Sequence, residues 1–368
     1  MFRIILSLLL LLHGCIHLIG SVRRPRAADA ATTQRHPTRP ERVAWMLTTL
    51  FLLLASGQLL LERGVWWIPA LAGVVLSQGL ILTRWRDARY GTILNALVLA
   101  GASAGAAMWH FQGTYNDAVH HSRKGIGTDP ARRITEADLE HLPPPVQRYL
   151  RASGAVGSTR PRRMRMHFQG SIRALDGPWM PFTSVQENTF ERPTRLFWMD
   201  ATMKGVPVQG FHAYADGKAS MRIKALGLIT VQDVHGSALD TAETVTYLND
   251  LCLFAPAALI DERITWVPLD DHSAQVTFDN DGLVVTARLH FNAQDLLSDF
   301  ESDDRYYLAP DGALLHRHFR TPVKHHGRIG GGLHPEEAEA VWTLGDTSFV
   351  YGRFTLRSIT YDSDEEGE

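Results

Sequence analysis

The residues with the most chemistry to offer sit in the least hospitable part of the chain. His13 and His17 lie one helical turn apart inside an apolar run, and Gln78 and Asn95 fall inside two further apolar runs. Polar groups in hydrocarbon are costly and turn toward the interior of a helix bundle. Counted from the ends of their runs, His17, Gln78 and Asn95 share one depth, with His13 a turn deeper toward the midplane. A His13/His17/Gln78/Asn95 cluster could ligate a metal or haem, or relay a proton. Two histidines without a carboxylate or thiolate at their level make a poor metal site, however. The favoured reading is interhelical hydrogen bonding that fixes the bundle, beside small-residue contacts at Gly101 and Gly105.

Elsewhere the titratable residues read as ordinary. Asp299, Glu301 and Asp303 alternate along a strand-like run that leads to Asp311-Gly312. A two-residue loop there would set Tyr307 opposite His316, Arg305 opposite His318 and Asp303 opposite Arg320, which is sheet stabilisation and not catalysis. A guanidinium beside His318 also disfavours a bound cation, which leaves His316, His318, His325, His326 and His334 as weak metal candidates. His-Glu-x-x-His, Gly-x-Ser-x-Gly and phosphate-loop patterns are absent, and Gly330 to Gly332 is followed by neither lysine nor helix. The sequence therefore assigns no catalytic residue, no metal and no cofactor.

The elements that hold these residues begin with four apolar runs, 4–22, 43–61, 64–83 and 90–108, each matched to a hydrocarbon core of ~30 Å. Arg23, Arg24, Arg26, Arg35, Arg39 and Arg42 fill the first connection, only Glu62 and Arg63 the second, and Arg84, Arg86 and Arg89 the third. Basic connections stay in the cytoplasm, so the N-terminus and everything after Trp109 are expected outside. Trp66, Trp67, Trp85 and Trp109 mark the boundaries, where an amphipathic ring is at ease. A cleaved signal or lipoprotein reading of residues 3–15 competes weakly, because the run continues into a stop-transfer cluster of arginines. Through His110 the chain has 11 basic and 4 acidic residues, and beyond it 26 against 35. The basic excess sits in short loops between apolar runs, which fits a membrane surface and excludes nucleic acid as a partner. Cys15 and Cys252 define no disulfide framework.

After the fourth run, 109–162 reads as a polar juxtamembrane linker with two short helices. Thr135 and Asp138 form a capping-box pattern, and a second helix starts near Pro143 to Pro145 and stops at Gly154. From Arg163 the period becomes two, with Met164, Met166, Phe168 and Ile172 alternating with polar residues. Asp-Gly pairs at 176, 216, 281 and 311 punctuate an antiparallel meander that extends to residue 362, interrupted by a helix over 237–254 and followed by an acidic tail, 363–368. One strand is apolar on both faces, with Phe197, Met199, Ala201 and Met203 on one and Leu196 and Trp198 on the other. A helix can cover one face while the other lines the hollow of a curved, half-closed sheet. Met164, Met166, Phe197, Met199 and Met203 would then form an adaptable apolar lining suited to acyl chains, against the plainer alternative of a methionine-rich core. The expected fold is a four-helix membrane bundle plus an α+β domain whose half-barrel-like sheet carries one or two helices.

His13-Gly14-Cys15-Ile16-His17, Ser77-Gln78-Gly79, the stretch from Trp85 to Asn95, Leu142 to Leu150, Thr244 to Pro256, Asp304-Arg305-Tyr306-Tyr307, Thr321-Pro322 and Ile359-Thr360-Tyr361 together resemble an uncharacterised family of bacterial multi-pass membrane proteins. The chain departs from that pattern at Phe319, where the family has tryptophan, and at Asp362, where it has asparagine. The soluble part is also similar, more distantly, to the half-barrels of LolA-like lipoprotein carriers, an analogy of fold. The resemblance implies an inner-membrane protein with an extracytoplasmic domain and supplies no activity. Three readings stand: a membrane-anchored module that binds a lipid, lipoprotein or other apolar ligand; an envelope sensor or scaffold that engages a protein; and a membrane redox or metal enzyme built on the histidine pair.

Overall fold

The computed structural model describes residues 2–22, 38–124, 126–127, 132–309 and 311–362. The arginines of the first connection up to Arg35, most of the linker stretch 125–131 and the acidic tail 363–368 lie outside the described residues. Two compact units result. One is Met1–Gly113 with two short hairpin segments, Lys204–Pro207 and Ala225–Ile229, and the other is Thr114–Met203, Val208–Lys224 and Thr230–Glu368.

In the first unit the helices are α1 (Phe2–Val22), α2 (Arg39–Leu60), α3 (Trp67–Thr83), the short α4 (Trp85–Ala88) and α5 (Gly91–Lys124). Thr38 and Glu41 close a capping box at the start of α2, where Pro40 fits the first turn. Three helices, Phe2–Ile19, Arg39–Leu60 and Gly91–Lys124, are long and apolar enough to cross a membrane, whereas Trp67–Thr83 is apolar but shorter. Leu10, Leu52, Ala55, Val98 and Ala102 form an inner core, while Leu12, Ile19, Val75 and Leu82 stay exposed. That inversion suits helices solvated by lipid. Gly73 and Gly101 lie under Leu52 and Leu6, too close for a side chain of their own, so small residues set the helix spacing.

The helix expected to end at residue 108 continues to Lys124. Residues 109–124 contain no proline, and the basic residues of the last turn complement the negative end of the helix dipole, so nothing local stops the helix earlier.

The second unit contains a 3-10 turn at Glu136–Leu139, α6 (Pro144–Ala152) and a sheet whose strands run β1 (Arg163–Ile172), β2 (Met180–Thr189), β3 (Thr194–Met203), β4 (Val206–Ala215), β5 (Lys218–Ala225) and β6 (Ile229–His235) before α7 (Ser237–Phe254). After α7 come β7 (Ile264–Asp270), β8 (Ser273–Asn280), β9 (Leu283–Phe291), β10 (Leu297–Ser302), β11 (Tyr306–Leu308), β12 (Leu314–His316), β13 (Phe319–Arg320), β14 (Val323–Ile329), β15 (Gly332–Leu344) and β16 (Thr347–Tyr361). The long sheet has the order β6-β5-β4-β3-β2-β1-β16-β15-β13-β10-β9-β8-β7, with β14 on β15, and β11-β12 form a separate hairpin. Asp216-Gly217 and Asp281-Gly282 both have positive φ at the two turn positions, the geometry that matches strand twist in tight hairpins.

Nearly all of α7 is buried, its Asp240, Glu243, Thr244, Asn249 and Asp250 included, so these polar groups must find partners inside the fold. Tyr247 reaches Tyr214 of β4 and Phe278 of β8, while Asn249 donates to Thr321 beyond β13. Strands so far apart in sheet order meet one helix only if the sheet curls around it, and this is the antiparallel half-barrel. Tyr149 of α6 donates to the Cys252 carbonyl of α7.

The hairpin around Asp311-Gly312 corrects one expected register. Ala309 and Ala313 close a longer loop, so Tyr306 faces His316 and Tyr307 faces Leu315. Arg320 stands opposite Glu301 and donates to Asp299 (3.0 Å), while Asp303, just past β10, takes His318 (2.7 Å) and Arg288 (3.0 Å). The longer loop shifts the β11-β12 pairs by one residue, and Arg320 by two, from Asp303 to Glu301.

Candidate functional site: the hollow of the half-barrel

Strand β3 builds the site because its alternation serves two environments. Leu196 and Trp198 point to one face, where Trp198 meets Tyr115 from the last turns of α5 (6.0 Å between rings). Arg195, Phe197, Met199 and Ala201 point into the hollow, a face shared by Gln186 and Asn188 of β2 and by Gly210, His212 and Tyr214 of β4.

Arg195 is 8% exposed, and its guanidinium bonds Asp250 (2.7 Å) and Glu243 (3.1 Å) of α7 and Gln186 (3.1 Å). Asp250 also accepts from Gln186 (2.6 Å) and Asn188 (3.2 Å). Burial raises the Asp250 carboxyl above the usual carboxylate range even though Arg195 and the two amides pull it down. A buried charge is tolerated only when paired and hydrogen-bonded, and this network meets both conditions. It ties α7 to β2 and β3.

Beyond the reach of α7 the same face turns apolar. Phe182, Phe197, Met199 and Ala201 form one buried cluster, joined by Ile172, Met180 and Phe354. Phe319, Ala340, Trp342 and Phe349 form another, joined by Tyr307 and Tyr351. No α7 residue belongs to either, whereas the core beneath α7 is a separate, larger cluster. Between apolar wall and polar network stands His212, 5.7 Å from the Phe197 ring. Burial drives its pKa down to about 4, with the charges of Arg195 and Arg305 adding to the effect and Glu243 opposing it. The imidazole is therefore neutral near pH 7. Arg305 lies over the Phe319 ring (4.0 Å), 5.2 Å from the Trp342 ring centre, and donates to the Tyr351 hydroxyl (3.3 Å).

The sequence-expected lining is thus divided. Phe197 and Met199 sit in the hollow, Met164 and Met166 are fully buried in the core beneath α7, and Met203 is 46% exposed at the end of β3. Arg195, His212, Glu243, Asp250 and Arg305 were not anticipated. A lone arginine in an otherwise apolar strand was the available signal, as were two carboxylates seven residues apart on one helix.

In the helical unit the structure brings His13, His17, Gln78 and Asn95 into one chain of hydrogen bonds. Gln78 donates to Thr92 (3.3 Å) and accepts from Asn95 (2.9 Å); Asn95 Oδ1 meets His13 Nε2 (2.8 Å); and Ser77 Oγ lies 2.9 Å from His17 Nε2 and 3.4 Å from His13 Nε2. Ser77 and Thr92 escaped notice because hydroxyls are common in apolar helices. This chain of bonds joins α1, α3 and α5.

Two other concavities lie in the second unit. An open cleft of about 1000 Å³ is lined by Arg132, Arg160, Arg162 and Arg263, each already paired with a carboxylate. A smaller cavity of about 210 Å³ is lined by His334, which is 6% exposed and whose pKa burial lowers to about 4.

Fold and site together define a class of protein: an apolar helical region with three candidate spans, joined to a curled antiparallel half-barrel plugged by one helix. The chain belongs to DUF6544, a family of unknown function, which matches residues 132–354. Among solved structures it is similar to a DUF1329 family protein from Desulfovibrio piger, at 9% identity and TM-score 0.35 over 59% of this chain and 92% of that one. It is also similar to a LolA superfamily protein from Nitrosomonas europaea, at 10% identity and TM-score 0.26 over 59% and 93%. Likeness at these scores carries nothing about ligand or role. No curated protein matches the sequence.

Proposed function

We propose that this protein is a membrane-anchored module that binds a lipid, lipoprotein acyl chain or other apolar ligand in the hollow of its half-barrel, on the extracytoplasmic side of a bacterial inner membrane. The observation that carries the reading is the pair of buried apolar clusters, around Phe197 and Trp342, on the concave face beside α7 but without any α7 residue among them. Concave, mostly apolar surfaces with a few placed polar groups are the usual form of small-molecule sites, and Met199 gives this one a deformable wall. The anchor is read as four crossings, with α3 as the short one: at 1.5 Å per residue it spans about 25 Å, and Trp66 and Trp67 extend it into the interface.

The test uses the full-length protein in detergent. Native mass spectrometry should find co-purifying lipid, and a fluorescent fatty-chain probe should bind saturably. Ala201→Trp, which crowds the cluster around Phe197 from β3, should weaken probe binding at least tenfold and lower the melting temperature through overpacking. Absence of both lipid and saturable binding would refute the proposal.

A further inference from the structure

Arg195 and Arg305 enter the hollow on different terms. Arg195 is matched by Asp250 and Glu243. Among the described residues Arg305 has no carboxylate partner, and the acids nearest to it in sequence are all engaged elsewhere. Glu301 pairs with Arg320 (3.2 Å), Asp303 takes His318 and Arg288, and Asp304 caps the Thr286 amide (2.7 Å) and hydroxyl (2.8 Å). The Arg305 Nε is buried with no hydrogen-bond partner. The guanidinium lies over the Phe319 ring (4.0 Å) and within 5.2 Å of the Trp342 ring, and the Tyr351 hydroxyl takes one of its N–H donors. The neighbouring His212 is neutral near pH 7 and supplies no balancing charge. The result is one unmatched positive charge, with an unused buried donor, beside an apolar wall.

From this we infer that the ligand of the hollow is an anionic amphiphile, its chain against the cluster around Phe197 and its oxyanion headgroup received by Arg305. The inference rests on the proposed function and adds the headgroup class. A carboxylate or a phosphate would each neutralise the guanidinium and accept from its free edge, because both match the donor fork of arginine. A neutral chain of equal length would gain only the apolar contacts.

The experiment is a competition in detergent-solubilised full-length protein against a fluorescent, uncharged fatty-alcohol probe. Hexadecanoate, hexadecyl phosphate and hexadecanol serve as competitors. Wild-type protein should prefer at least one of the two anions over hexadecanol by about tenfold or more, the effect expected of a hydrogen bond to a charged group. The ratio between the anions identifies the headgroup. Arg305→Gln should abolish the preference, read as the ratio of anion to hexadecanol affinity within the variant, and Arg305→Lys should keep part of it. Equal competition by all three chains in wild-type protein, or a preference that survives Arg305→Gln, would overturn the inference and leave the apolar hollow standing. No saturable probe binding would remove both.

Discussion

At Arg195 three elements depend on one side chain. Removing one partner of a buried pair is more damaging than never having built it, because the other charge is left without compensation. Arg195→Met should therefore cost about 3–5 kcal/mol, seen as a lower denaturation midpoint for the solubilised protein. Asp250→Asn in the same chain should recover part of that loss, since it neutralises one stranded carboxylate, and a double-mutant cycle measures the coupling. His334 tests the same physics by pH. Burial lowers its pKa from 6.5 to about 4, so the unfolded chain takes up a proton at a pH where the folded one does not. Stability should fall as pH drops from about 6.5 toward 4 and stop falling below that, a loss of roughly 3 kcal/mol. His212 acts with the same sign. Asp250, its carboxyl raised by burial, acts oppositely in the acid range. His334→Asn should flatten the slope relative to wild type in unfolding curves at pH 7, 5.5 and 4.5.

Among the elements, β1 shows how tightly the curl is built. A methyl group on Gly170 would lie 2.1 Å from the Arg353 carbonyl oxygen and 2.8 Å from the Phe182 ring. Gly170→Ala should force β1 away from β16 and cost about 1–3 kcal/mol, read as lost amide protection in those two strands and a lower melting temperature. Gly154, which has open space around it but a positive φ at the end of α6, makes a useful contrast, since Gly154→Ala strains only the helix end. Much of this architecture was legible in the sequence because its causes are local. The period of two from Arg163, the helix at 237–254 and the Asp-Gly turns at 216 and 281 appear in the structure where periodicity and turn chemistry put them. The register of β11-β12 was not legible, since one extra loop residue changes every pair while leaving the pattern intact. Neither was the polar floor of the hollow. Asp250 meets Arg195 across 55 residues and Gln186 across 64, and no spacing rule reaches that far.

For the molecule as a whole, the proposed function depends on which side of the membrane the half-barrel occupies. The proposed placement rests on the charge pattern and on a proposed count of four crossings: the first and third connections are rich in arginine, the second has only Arg63, and an even number of crossings would bring the chain back to the side on which it began. That count includes α3, the shortest of the apolar helices. If α3 failed to cross, the parity would change and the half-barrel would face the cytoplasm. Cysteine labelling separates the two cases with little disturbance, because Cys15 lies in an apolar helix and Cys252 is buried. Gln294 is exposed in the turn between β9 and β10, where its side chain makes no hydrogen bond among the described residues. Gln294→Cys should react with a membrane-impermeant maleimide in intact spheroplasts, to the same extent as in lysed ones. A cysteine at Arg86, between α3 and α5, should react only after lysis. Labelling at 294 that appears only on lysis would place the half-barrel in the cytoplasm, where a carrier of envelope lipids has no access to its cargo, and the amphiphile-binding role would then have to be sought among cytoplasmic ligands.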